Sequence, residues 1–239
     1  MRKMLVIWLL VPLIGIGQGK NVITSTRVFP KSEKIAEFEK AVAAHAQKFH
    51  TGDWKWRVWS IESGPDAGGY MMTEGPNSWE QLDGRGDLSP EHMDDWNKNI
   101  APLTTAQGSQ SYYEFNGDLG TVQLTDYADK IVINHMIVKP GKLGNVVEMI
   151  KKMKNVWQAG NESVAVYRAA ASGDPCYITV TRLKQGLKEM AEGFRKPLNE
   201  RYNAANGDGS FDVFLKDYAD AVERRWSELL IYKPSLSSK

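Results

Sequence analysis

Charged and aromatic side chains fall inside stretches that otherwise read as buried strand. In KIVINHMIV, His135 alternates with Ile131, Ile133 and Ile137 and so shares their face. Counting back from Pro30 and Pro140 aligns two such strands, with Ser25 opposite His135 and Arg27 opposite Ile137. Arg57 and Trp59 share a face of WRVWSI, and Arg168 sits in VAVYRAA. A charge on a buried sheet face is costly unless it is paired or meets a ligand. Arg27, Arg57, Trp59, Tyr70, His135, Tyr167, Arg168 and Tyr177 are therefore the candidate ligand-binding residues. In such a site His135 is the candidate catalytic base or proton shuttle, because imidazole titrates near neutrality. Arg27 or Arg168 would steady an enolate or carboxylate, and tryptophan would stack on a flat substrate. The competing reading places these residues near strand ends or pairs them with glutamates such as Glu62 or Glu74, and puts Trp54, Trp56 and Trp59 in the core.

The common catalytic signatures are absent: no phosphate-binding glycine loop, no GxSxG, no CxxC and no HExxH. The histidines are His45, His50, His92 and His135. His45 and His50 are five apart on a predicted helix and would not share a face, so no metal site is expected, and no cofactor. Asn206, Asp208, Ser210, Asp212 and Asp217 space like a calcium loop, but Phe211 stands where glycine is needed, so an ordinary turn is expected. Arg85-Gly86-Asp87 reads as part of a glycine loop rather than an adhesion motif. Asn161-Glu162-Ser163 matches a glycosylation acceptor, relevant only in a host that glycosylates. Cys176 is the only cysteine, cannot form an internal disulfide, and reads as a small buried hydrophobe.

Composition narrows the classes. The chain has 239 residues, 42% of them hydrophobic, and a formal charge of +1, which provides a core and no basic stripe for nucleic acid. At the N-terminus, Arg2 and Lys3 precede an apolar run, Met4–Ile16, and then Gly17-Gln18-Gly19. This predicts a signal peptide over 1–19 and an exported, periplasmic or extracellular protein, with an uncleaved anchor as the alternative. Without Arg2 and Lys3, 28 basic residues face 29 acidic ones, about −1. No transmembrane segment is expected in the mature chain.

The elements that would position these residues occur twice. A strand runs to Pro30, and a helix with Ile35, Phe38, Val42 and Phe49 on one face follows. A strand then runs to Val138 just before Pro140, and a helix with Val146, Ile150, Met153 and Trp157 on one face follows. Strand two is predicted over Trp54–Ile61, a short closing strand over Ser111–Phe115, a long helix over 184–205 with Leu187, Met190 and Phe194 inward, and another helix over Phe211–Trp226. The expected organisation is an α+β fold of two β-α-β-β-α-β ferredoxin-like repeats, 20–116 and 130–234, with a linker over 117–129 and a tail over 235–239. Each half has helices on one sheet face only, so the two bare faces should close on one another as an intramolecular α+β barrel.

That element order resembles the dimeric α+β barrel superfamily, which includes antibiotic-biosynthesis-type monooxygenases, NIPSNAP-like proteins and stress-responsive barrel proteins. The resemblance implies a tandem version in one chain, a monomer or weak homodimer, with a pocket between the sheets for a small apolar or aromatic ligand. Two function classes follow from it. One is an exported small-molecule-binding or accessory protein of the cell envelope. The alternative is a cofactor-independent monooxygenase-like or haem-handling enzyme acting on an aromatic substrate.

Overall fold

The computed structural model describes residues 19–123 and 126–239; nearly all of the expected leader therefore lies outside the described residues. Among the described residues no helix is long and apolar enough to cross a membrane. The elements run β1 (Val22–Pro30), α1 (Ile35–Phe49), β2 (Trp56–Ile61), β3 (Tyr70–Asn77), α2 (Trp79–Asp83), α3 (Pro90–Asp95) and β4 (Thr104–Phe115). They continue with β5 (Lys130–Val138), α4 (Leu143–Ala159), β6 (Ser163–Ala170), β7 (Cys176–Arg182), α5 (Leu198–Asn206), α6 (Ser210–Ala221) and β8 (Val222–Tyr232).

The eight strands close into one antiparallel barrel in the order β1-β3-β2-β8-β5-β7-β6-β4. Closure follows from the amphipathic strands: one side-chain parity is covered by helices, and the other can leave water only by facing inward. β1 and β5 stand four places apart in this ring of eight, so they face one another across the lumen. Trp59, Ile61, Met71, Ile131, Ile133, Ile178, Val180 and Leu230 form the interior. The outward parity packs under helices. Phe38, Val42 and Ala46 of α1 cover Val58, Tyr70 and Met72, and Val146, Met149 and Ile150 of α4 cover Val164, Val166 and Tyr177. Full burial of each such aliphatic or aromatic side chain stabilises by about 1.5–3 kcal/mol.

Several element boundaries depart from the sequence expectation. Trp54 belongs to a short turn, Gly52–Trp54, and β2 starts at Trp56. β4 starts at Thr104, because Thr104–Phe115 is held along its length by β1. The long helix over 184–205 is not continuous. A single turn spans Gly186–Met190, and the α-helix starts only at Leu198. Gly186 and Gly193, at φ +77° and +81°, interrupt helical dihedrals. Leu187, Met190 and Phe194, expected inward, are consequently exposed. The helix expected to reach Trp226 stops at Ala221, and Val222 enters β8, paired along β5. Residues 235–239, expected as a tail, run onto β2: Val58 N donates to Ser237 Oγ, Trp56 N donates to Ser238 Oγ, and Leu236 is buried against α1.

Candidate functional site in the barrel lumen

A layer of charge crosses the middle of the apolar lumen. Arg27 points inward from β1, beside Ile23 and Ser25 of the same parity. Its Nη2 donates to Glu228 Oε1 at 2.5 Å and its Nη1 to Glu228 Oε2 at 2.9 Å, a two-pronged contact. Nη1 also reaches Asp66 Oδ2, in the β2–β3 turn, at 2.6 Å. His135, from β5, places Nε2 2.7 Å from Glu228 Oε1. The His135 ring lies flat on Trp226, with centroids 4.4 Å apart and planes 6° apart. Burial alone would raise the Glu228 carboxyl, but the bonds from His135 and Arg27 overcome it and hold the group at about 2. The competing reading, arginines paired with glutamates, holds with other partners: Arg27 takes Glu228 and Arg168 takes Glu114, whereas Glu62 takes Ser60 and Glu74 takes His50 and Arg85.

Arg27, His135 and Tyr113 line spaces on both sides of this layer. One is polar, about 230 Å³, with Ser109, Ser111, Asp174 and Arg224 at its walls. The other is apolar, about 70 Å³, and is walled by Trp59, Met71, Ile131, Tyr167, Val180 and Arg182. Two residues that line that apolar space each carry a buried donor with no partner among the described residues: Arg182 Nη1 and Trp59 Nε1. Arg182 is only 5% exposed. Desolvation lowers its pKa, yet a guanidinium does not shed its proton in a protein, so it remains a buried cation. Burial pushes the nearby Tyr167 hydroxyl up to about 12 and keeps it neutral. At the rim stands Tyr127, with the Arg57 guanidinium 3.6 Å above its ring.

Of the eight residues singled out in the sequence, Arg27, Trp59, His135 and Tyr167 line the apolar space, and Arg57 stands at its rim. Three lie outside the lumen, each by strand parity. Tyr70 faces α1, against Phe38, and donates to Glu39 Oε1 at 2.7 Å. Tyr177 faces α4. Arg168 is exposed, paired with Glu114 Oε2 at 2.5 Å. Glu228, Asp66, Trp226 and Arg182 were missed. Arg182 was findable, since it continues the alternation Cys176, Ile178, Val180. Trp226 was hidden by the helical reading of 211–226, and Glu228 lies just beyond that expected helix, where no strand face is assigned.

No family profile matches the chain, and no curated protein matches it either. Solved structures do. An anthrone oxidase-like protein superposes with a TM-score of 0.56 at 15% identity, over 90% of this chain and 92% of that one. A proposed monooxygenase of Fusobacterium nucleatum gives 0.56 at 12% identity, over 88% and 91%. A proposed monooxygenase of Lactobacillus acidophilus gives 0.53 at 9%, over 92% and 96%. What these structures share with this chain is the fold, a closed α+β barrel. At these identities the likeness speaks to fold alone.

Proposed function

We propose that this chain binds a small aromatic or apolar anion inside its barrel, with the anionic oxygen on Arg182 and the flat body against Trp59 and Tyr167. The single observation that carries this reading is the pair of unpartnered donors, Arg182 Nη1 and Trp59 Nε1, on residues that line an apolar space. An unmatched buried donor costs about 1–3 kcal/mol, more for a charged one, and a ligand oxygen would recover that cost. The space of about 70 Å³ is half of the roughly 150 Å³ that admits benzene in an apolar cavity, so a ring enters when the Arg57–Tyr127 rim swings outward. A haem, four pyrrole rings wide, does not fit this lumen as packed.

The test begins with native mass spectrometry of the purified protein, to detect a carried ligand. Benzoate, salicylate and their neutral amides are then titrated while tryptophan fluorescence is followed. Arg182→Leu should weaken the carboxylates by roughly 10- to 150-fold, the worth of a charge-assisted hydrogen bond, and leave the amides little changed. Equal affinity of wild type and variant for benzoate ends the proposal.

A second reading is supported by the His135–Glu228 contact and by the oxidase and monooxygenase descriptions of the structural neighbours. In it the same lumen oxidises an electron-rich aromatic substrate with dioxygen. His135, oriented by Glu228, would take the substrate's acidic proton. Loss of turnover in His135→Ala with ligand affinity retained would select this reading over binding alone.

Two organisational proposals accompany it. The strand orders β4-β1-β3-β2 and β8-β5-β7-β6 support two ferredoxin-like units within one chain; superposition of 20–116 on 130–234 tests that. The positive, apolar and small-residue order of 1–19 supports export; N-terminal sequencing of the native protein tests it, and a cytosolic protein starting at Met1 would overturn it.

A further inference from the structure

A second cluster lies outside the barrel, where α1 and α3 cover the sheet. His45 points in from α1, His50 caps that helix at its C-terminus, and His92 comes from α3. All three are buried, and their ligand-capable atoms lie within 4.8 Å of one another. His45 and His50 fall on different faces only of a helix that is continuous through both. The helix ends at Phe49; His50, at φ −95° and ψ 80°, turns its ring back over Trp56 with centroids 3.5 Å apart.

Each ring is held by a carboxylate on its Nδ1. His45 Nδ1 lies 2.8 Å from Asp95 Oδ2, His50 Nδ1 3.0 Å from Glu74 Oε2, and His92 Nδ1 2.7 Å from Asp87 Oδ1. An ionised carboxylate only accepts, so each Nδ1 carries the proton and each Nε2 carries a lone pair. His50 Nε2 and His92 Nε2 face one another at 3.3 Å, two acceptors with no proton between them in this tautomer. His45 Nε2 is buried with no partner among the described residues.

We propose that His45, His50 and His92 form a tris-histidine site for a first-row divalent cation of the zinc class. Neutral imidazole suits zinc, cobalt, nickel and copper, and carboxylates on the far nitrogen are the usual outer support of histidine–metal sites. With metal–nitrogen bonds of about 2.0–2.1 Å, the nitrogen–nitrogen edge of a tetrahedral site is about 3.3–3.4 Å. The His50–His92 edge already has that length. The charges agree as well. Three carboxylates surround the rings, and Arg85 neutralises one at Glu74, leaving a net of two negative charges for a divalent cation. His92 also lines a cleft of about 490 Å³ with Trp56, Met93 and Trp96, so a fourth position can be reached by water or an exogenous ligand. An imidazolium shared between His50 and His92 is the competing answer, but it leaves His45 Nε2 unsatisfied, whereas a metal takes all three lone pairs. The arginine–glycine–aspartate tripeptide finds its use here: Arg85 and Asp87 both turn inward to this cluster.

The experiment uses full-length protein without a polyhistidine tag, stripped with chelator and titrated with Co²⁺, then with Zn²⁺ in competition. One Co²⁺ per chain, with the intense visible bands of four- or five-coordinate cobalt, is expected, and Zn²⁺ should bleach them. Asp87→Asn should weaken the affinity by about 10- to 100-fold, and His92→Gln by more. His135→Gln, in the lumen, should leave cobalt binding unchanged. Circular dichroism verifies that each variant folds; if His92→Gln does not, Asp87→Asn at the rim decides. Pale six-coordinate spectra, or binding that survives both substitutions, would overturn the site. So would a chain that takes up no metal and shows a protonated His50–His92 pair by NMR.

Discussion

Replacing Glu228 with glutamine removes one negative charge from a place where two donors converge on one oxygen. In the native chain Oε1 accepts from Arg27 Nη2 and from His135 Nε2, and Oε2 accepts from Arg27 Nη1. Glutamine can present one oxygen only. Its NH₂ then faces either Arg27 Nη1 or both donors at the other corner, and the Arg27 charge is left with Asp66 alone. Breaking a buried pair by removing one partner costs about 3–5 kcal/mol. For a chain of this size that lowers the melting midpoint by roughly 6–20 °C at neutral pH. The pH dependence gives an independent magnitude. The Glu228 carboxyl moves from 4.5 down to about 2 on folding, on the order of 3 kcal/mol. A depressed carboxyl contributes in full above its unfolded value, and the contribution is lost as pH falls through about 2. Calorimetry of wild type and Glu228→Gln at pH 7 and at pH 2.5 should therefore show a wide gap that narrows in acid. A gap under about 1 kcal/mol at pH 7, or one that widens on acidification, would refute the account of the charged layer. Arg27→Leu with Glu228→Leu should recover much of the loss, because a buried ion pair replaced whole by apolar groups is often neutral or stabilising.

Burial pushes the Cys176 thiol up to about 11, so the native protein at pH 8 should resist an aromatic disulfide reagent and react fully once unfolded; fast native modification would contradict its burial. Gly64, at φ +90°, leaves no room for a methyl group, since an added Cβ would lie 2.8 Å from Ser227 O. Gly64→Ala should cost about 1–3 kcal/mol and loosen Asp66 from Arg27, whereas Gly68→Ala, equally strained but in open space, should cost less; equal losses in thermal denaturation would discard the steric argument.

Much of the barrel was legible because strand alternation is a local signal. Ile131, Ile133, His135 and Ile137 share one face in the sequence and in the lumen, and Arg27, Trp59 and Tyr167 follow from the same parity in their strands. Where the count started on the wrong residue, the side chain ended outside, as with Tyr70 and Tyr177. Sequence periodicity failed over 222–228, where VERRWSE has the charge and propensity of a helix end. The neighbouring strand makes it a strand instead, since β5 supplies backbone partners from Val222 to Glu228, and β2 joins only beyond, at Leu230–Tyr232, where the barrel closes. That pairing alone puts Glu228 between Arg27 and His135, residues 201 and 93 positions away. The histidine cluster was decided in the same way: sequence spacing placed His45 and His50 on different helix faces, but the helix ends between them and α3 brings His92 from 42 residues beyond His50. Local alternation determines which face a side chain takes, because Cβ direction is fixed by the strand itself. Which side chains meet depends on closure and helix termination, and those are set by contacts far apart in the chain.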